Sequence, residues 1–254
     1  MCIHKNKEMT NWKNKVAIVT GSSRGLGKAV VKLLARNGVS VIVNYSSNKQ
    51  HADEVVNEIM LSGGQAYAIQ ADVSKPAEIT KLFNLTIEKY GKIDIVINNS
   101  GIMVTKLTKD TSEEDFDRTF SINAKSVFFS MKEAATKLAD NGRIINISSS
   151  VTRVMFPTYG AYSASKAAVE QMTRVFAKEV GSRGVTANTV SPGPINTELF
   201  MHGKTEADIQ RIGSMTAFNR IGETQDIAPL ILFLASDESY WITGQNLGIN
   251  GGMV

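Results

Sequence analysis

The segment Tyr162-Ser163-Ala164-Ser165-Lys166 sets a phenol and an amine four residues apart, which puts them on one face of a helix. A free tyrosine has a pKa of about 10, too high for efficient proton exchange near neutrality, and a neighbouring ammonium stabilises the phenolate and is expected to lower it. The pair is therefore a candidate for passing a proton to and from a substrate oxygen. Tyr-x-x-x-Lys is common on helix surfaces, so its weight comes from the residues that accompany it. One is Ser149, thirteen residues upstream in Ser148-Ser149-Ser150.

A second site is written near the N-terminus. Thr20-Gly21-Ser22-Ser23-Arg24-Gly25-Leu26-Gly27 follows a short apolar run, and a helical segment follows at once. A glycine turn in that context aims backbone N–H groups and a helix N-terminus at a pyrophosphate, whose charge the helix dipole favours. Gly21, Ser23, Arg24, Gly25, Leu26 and Gly27 are the candidate contacts. Folds of this kind that bind NAD carry an acid roughly 20 residues further on, to hold the ribose 2′-hydroxyl. Here Val43-Asn44-Tyr45-Ser46-Ser47 stands in that place, with no Asp or Glu from Gly38 to Ala52. Arg24 suits bidentate pairing with a 2′-phosphate, which favours NADP(H) over NAD(H), with Asn44, Tyr45 and Ser46 beside it.

These residues need a scaffold that alternates strand and helix. Apolar β-branched runs at 16–19, 39–43, 93–97, 143–147 and 185–190, with a weaker one at 66–70, read as buried strands. Helical spacing occupies 28–36, 53–61, 78–90, 120–139 and 161–180. The alternation predicts a single α/β domain of doubly wound Rossmann type, with a mainly parallel central sheet and helices on both faces. It is expected to span 15–254, preceded by a flexible extension over 1–14. The long irregular stretch from Pro192 to Gly222 is expected to form a lid, with Leu199, Phe200, Met201 and Ile209 covering an apolar substrate.

Taken together in this order, the glycine turn, Asn98-Asn99-Ser100-Gly101, Asn123, Ser149 and the Tyr-x-x-x-Lys pair resemble the short-chain dehydrogenase/reductase family. The similarity is greatest to its NADPH-dependent aldehyde reductases and 3-oxoacyl carrier-protein reductases. It covers nearly everything from Lys15 onward. The resemblance implies that Tyr162 protonates the nascent alkoxide on reduction, that Ser149 steadies the carbonyl oxygen, that Lys166 supports Tyr162, and that Asn123 holds a water linking the lysine to solvent. It implies cofactor contacts from Asp72 and Val73, with Asp72 accepting from the adenine amine unless it serves as a helix cap. Asn99, Ser100 and Gly101 would line the cofactor side of the sheet, where serine replaces the family's usual alanine. Pro192, Gly193, Ile195 and Thr197 would lie against the nicotinamide.

Composition narrows the function classes. The 254 residues are 43% hydrophobic, and 28 basic against 24 acidic residues give only +4, too small and too dispersed an excess for a nucleic-acid groove. The one cysteine, Cys2, cannot form an internal disulfide, the first fifteen residues lack a signal-peptide core, and no segment spans a membrane, so a cytoplasmic protein is expected. His4, His51 and His202 follow no metal-ligand pattern, and no metal is expected. Carrier-protein reductases tend to present basic residues before the fifth strand, where this chain has Leu138-Ala139-Asp140-Asn141, although Arg183 could serve nearby. The sequence therefore favours a reductase of small or medium aldehydes and ketones, with a 3-oxoacyl carrier-protein reductase as the alternative and a non-enzymatic NADP(H) sensor a remote third. A homotetramer is expected from the family's habit of pairing through the long helices and the C-terminal region.

Overall fold

A computed structural model describes residues 11–254. Seven strands, β1 (Val16–Val19), β2 (Ser40–Tyr45), β3 (Gln65–Gln70), β4 (Ile95–Asn98), β5 (Arg143–Ile147), β6 (Thr186–Pro192) and β7 (Asn246–Ile249), form one sheet in the order β3-β2-β1-β4-β5-β6-β7. Every pairing is parallel. The expected doubly wound Rossmann-type sheet is thus present, and β7, which no apolar run announced, completes its edge.

Alternation along the strands divides the core in two. Ala17 and Val19 of β1 face one layer, with α1 (Gly25–Arg36), α2 (Lys49–Leu61) and the late helix α10 (Thr224–Ala235). Ile18 faces the other, with α3 (Pro76–Tyr90), α5 (Ser126–Lys137) and α7 (Gly160–Val180). Burial on both faces explains why the central strands read as continuous apolar runs rather than as alternating ones. Trp12, inside the stretch expected to be a free extension, packs against the first layer. Cys2 and His4 lie outside the described residues.

The chain leaves β1 outward through β2 and β3, then returns to place β4 on the other side of β1. That reversal opens a crevice beyond the strand ends, where ligands of open α/β sheets bind. The glycine turn sits at its mouth and is held by side chains. Ser22 Oγ donates to Val19 O (2.7 Å) and accepts from Asn44 N–H (3.1 Å), while Asn44 Oδ1 accepts from Gly21 N–H (3.0 Å). From the β4 side, Asn99 Nδ2 donates to Thr20 O (2.9 Å) and Gly21 O (3.1 Å). A Cβ on Gly27 would stand 2.6 Å from that same Asn99 nitrogen, so glycine is required there by close approach.

The helix expected over 120–139 differs from the observed one. It begins earlier, at α4 (Glu113–Phe120), with a capping box in which Ser112 and Asp115 satisfy each other's backbone N–H groups. A π turn, Ser121–Lys125, then leads directly into α5. Such turns widen the helix by one residue and are frequent at functional sites. Asn123 lies in it.

Candidate active site

The long helix α7 buries Tyr162, Ser165, Lys166, Val169, Thr173 and Phe176, a stripe at helical spacing, and thereby turns the Tyr162–Lys166 face inward. Buried amides fix its height against the sheet: Asn98 Nδ2 donates to Asn146 Oδ1 (2.7 Å), and Asn146 Nδ2 donates to Thr173 Oγ1 (2.8 Å). Lys166 is 4% exposed, and its Nζ donates to Ile147 O, at the end of β5, over 2.8 Å. A Cβ on Gly101 would lie 3.4 Å from that Nζ, in ordinary van der Waals contact with it.

The three serines between β5 and the short helix α6 (Val151–Val154) have different roles. Ser148 Oγ donates to Glu170 Oε1 (2.8 Å), and Ser150 Oγ donates to Pro192 O (2.9 Å); both side chains are buried. Ser149 is the one brought to Tyr162, with which it shares a hydrogen bond. Glu170, one turn beyond Lys166 on α7, also accepts from Thr152 Oγ1 (2.9 Å) and thus braces the loop that presents Ser149. Sequence reasoning passed over Glu170, although its place four residues past the lysine puts it on the same helix face.

The expected lowering of the Tyr162 pKa by Lys166 is not what the protein alone provides. Burial pushes the phenol up to about 12 and outweighs the downward pull of the Ser149 hydrogen bond. The Lys166 Nζ stands 5.9 Å from the ring centroid and is directed at a carbonyl, while its own burial brings it down to about 8. Tyr162 is therefore a protonated donor at neutral pH.

Asn123, fully buried, clamps the loop after β4: its Oδ1 accepts from Ile102 N–H (2.9 Å), and its Nδ2 donates to Ile102 O (2.9 Å) and Ser165 Oγ (3.1 Å). Both amide hydrogens are spent on protein partners. Asp72 acts in its local turn, accepting from Ser74 N–H (3.0 Å) and Ser74 Oγ (2.7 Å), and is not the cap of α3, which Lys75 precedes with no side-chain cap.

One cleft gathers nearly all the candidates. Its lining runs from Gly21, Ser23, Arg24, Gly25 and Leu26, through Asn44, Tyr45, Ser46, Asp72 and Val73, past Asn99, Ser100 and Gly101, to Ser149, Tyr162, Lys166, Pro192, Gly193, Ile195 and Thr197. Gly27 and Asn123 stand behind it as packing and clamping residues. The substrate end adds residues sequence reasoning did not name: Met103, Val154, Phe156, Tyr159, Ile212 and Met253. Tyr159 and Tyr162 meet edge to face with centroids 6.1 Å apart.

The expected lid is more structured than an irregular connection. It contains α8 (Glu198–Met201) and α9 (Glu206–Gly213), and its ends are tied by Asn196 N–H to Gly222 O and Gly222 N–H to Pro194 O, each 2.8 Å. Leu199 and Phe200 line the cleft, whereas Met201 and Ile209 do not.

The cleft suits a dinucleotide. The N-terminus of α1 opens onto it with no side-chain cap and no acid in its first turn, leaving backbone N–H groups and the dipole free for an anion. Among the described residues no His, Cys, Asp and Glu cluster could hold a metal ion, and no helix is long and apolar enough to cross a membrane.

Residues 21–254 match the family model described as enoyl-(acyl carrier protein) reductase. A short-chain type dehydrogenase/reductase of Picea abies is 43% identical over 250 residues, covering 94% of this chain and 92% of that one. The chain belongs to the short-chain dehydrogenase/reductase family. A further relative, an NADPH-dependent aldehyde reductase-like chloroplastic protein of Arabidopsis thaliana, is also 43% identical, over 94% of each chain. Among solved structures, the angucycline C-6 ketoreductase LanV with bound NADP superposes with a TM-score of 0.91 at 35% identity, over 96% of this chain and 97% of that one. As a member of this family the protein is an NADP(H)-dependent oxidoreductase acting on carbonyl and alcohol groups.

The two buried groups make stability depend on pH in opposite directions. Between about 8 and 10.5 the folded Lys166 holds fewer protons than the unfolded chain, so stability rises with pH there; above 10 Tyr162 keeps a proton that the unfolded chain loses, and stability falls. Urea unfolding of Lys166→Met is expected to lack the rise between pH 8 and 10, a slope of up to about 1.4 kcal/mol per pH unit for one proton. Parallel stability profiles for the variant and the parent would show that Lys166 is not perturbed by its burial.

Proposed function

We propose that the protein reduces aldehydes and ketones of small to medium size with NADPH. The observation that carries this reading is the Tyr162 hydroxyl, paired with Ser149, facing the same cleft as the uncapped N-terminus of α1. When bound, NADP(H) supplies or takes up the hydride. Ser149 then steadies the carbonyl oxygen and Tyr162 donates its proton to the forming alkoxide, or removes it from the alcohol in reverse. Lys166 keeps a positive charge beside the ring at neutral pH, where it favours any negative charge that develops on the phenol. Asn123 holds the loop and helix in register.

The apolar substrate end, with Phe156, Tyr159, Leu199 and Phe200, favours carbonyls with a hydrophobic or aromatic body. A carrier-protein-bound substrate is the weaker reading. Arg183, the basic candidate the sequence offered there, pairs with Asp140 at 2.8 Å and donates to the carbonyls of Ala135 and Leu138, so it closes the end of α5 instead of facing a partner.

Arg24 is the residue we assign to the 2′-phosphate, and two measurements follow. A spectrophotometric screen of aldehydes, ketones, quinones and an acetoacetyl thioester should show turnover with kcat/KM much higher for NADPH than for NADH, and Arg24→Ala should narrow that gap. Equal efficiency with the two cofactors in the parent enzyme would end the assignment. We further propose a homotetramer, supported by exposed apolar side chains on α5 and α7 (Phe128, Val175) and in the C-terminal region (Phe218, Trp241). Sedimentation should give four chains at micromolar concentration; a monomer would refute it.

A further inference from the structure

The guanidinium of Arg24 already has a partner. Its Nη1 lies 2.9 Å from Oε2 of Glu198, the first residue of α8. Their meeting follows from how the segment after β6 is seated. Thr197 caps α8 by accepting from Phe200 N–H (3.3 Å), and its side chain lies 3.7 Å from the position a Cβ on Gly25 would take. The root of α8 therefore rests on the glycine turn, and Glu198 emerges beside Arg24.

Among the described residues two cations line the cleft, Arg24 and Lys166, and Lys166 is committed to Ile147 O. Arg24 is thus the cation available there for a second phosphate. A phosphomonoester carries a charge of about −1.5 to −2 at neutral pH, and an arginine shared between it and a carboxylate would bring two anions together. The guanidinium cannot serve both at full strength. A 2′-hydroxyl makes no such demand, so NAD(H) is indifferent to the pair.

We infer that Glu198 is a cofactor-specificity residue: it competes with the 2′-phosphate for Arg24 and so holds down the preference for NADP(H) over NAD(H). This rests on the assignment of Arg24 above. The size of the effect is bounded by the exposure of both side chains, 66% and 61%. Exposed ion pairs of this kind shift an equilibrium by up to about fivefold.

The test is equilibrium binding of NADPH and NADH, read by fluorescence titration without substrate, for the parent, Glu198→Gln, Arg24→Ala and the double variant. Glu198→Gln keeps the shape of the side chain and removes its charge. The expected result is a Kd for NADPH about two- to fivefold lower, an unchanged Kd for NADH, and loss of the Glu198→Gln effect when Arg24 is already alanine. An equal shift for both cofactors would place the influence of Glu198 on the shared pyrophosphate and overturn the inference. So would an unchanged ratio, or an effect that survives in the Arg24→Ala background. If Arg24→Ala alone leaves the NADPH-to-NADH ratio intact, the assignment of Arg24 falls and the inference with it; if it lowers the ratio while Glu198→Gln does nothing, only the role of Glu198 falls.

Discussion

A lysine removed from water and hung on one backbone carbonyl is the constraint around which this molecule is built. The Lys166 ammonium reaches Ile147 O at 2.8 Å, and desolvation pulls its pKa down to about 8. An ammonium in such a place costs several kcal/mol unless its surroundings are polar and fixed. The surroundings answer to that need: β5 must end where the carbonyl is wanted, and α7 must lie at one height on the sheet. The ladder from Asn98 through Asn146 to Thr173 sets that height with polar groups inside the core. Buried amides of this kind rule out a sliding helix, because every shifted register leaves them unpaired.

The same logic extends outward in two directions. Toward the substrate, Glu170 draws Ser148 and Thr152 onto one carboxylate oxygen and leaves Ser149 as the hydroxyl that meets Tyr162. Toward the cofactor, Ser22, Asn44 and Asn99 spend hydrogen bonds on the glycine turn and so fix the turn that lines the cleft. The π turn at Ser121–Lys125 belongs to this scheme. By widening the helix it lets the Asn123 amide bridge the loop after β4 and the helix that carries Lys166.

Much of this was legible in the sequence, and the unread parts have physical reasons. The central strands announced themselves because both faces of a parallel sheet are buried. β7 did not, since Asn246-Leu247-Gly248-Ile249 gains its strand character from pairing with β6 rather than from its own composition. The start of α4 was hidden in Ser112-Glu113-Glu114-Asp115, a capping box with Asp where Glu or Gln is the commoner signal. The candidate residues came together because their spacing encodes one cleft. The rise of the Tyr162 pKa was not legible: i and i+4 spacing tells which groups are neighbours, not how much water they lose. Nor was Glu198, whose contact with Arg24 spans 174 positions and follows only from the seating of α8 on the glycine turn.

The central claim is that a protonated Tyr162, and no other group in the cleft, delivers the proton during reduction. Tyr162→Phe tests it most directly, because the ring and its packing stay while the hydroxyl is lost. NADPH binding and steady-state turnover should be measured side by side on that variant across the pH range. The account predicts a Kd for NADPH close to the parent's and a kcat lowered by about 10²–10⁴-fold. A variant that binds NADPH equally well and keeps the parent's kcat would contradict it.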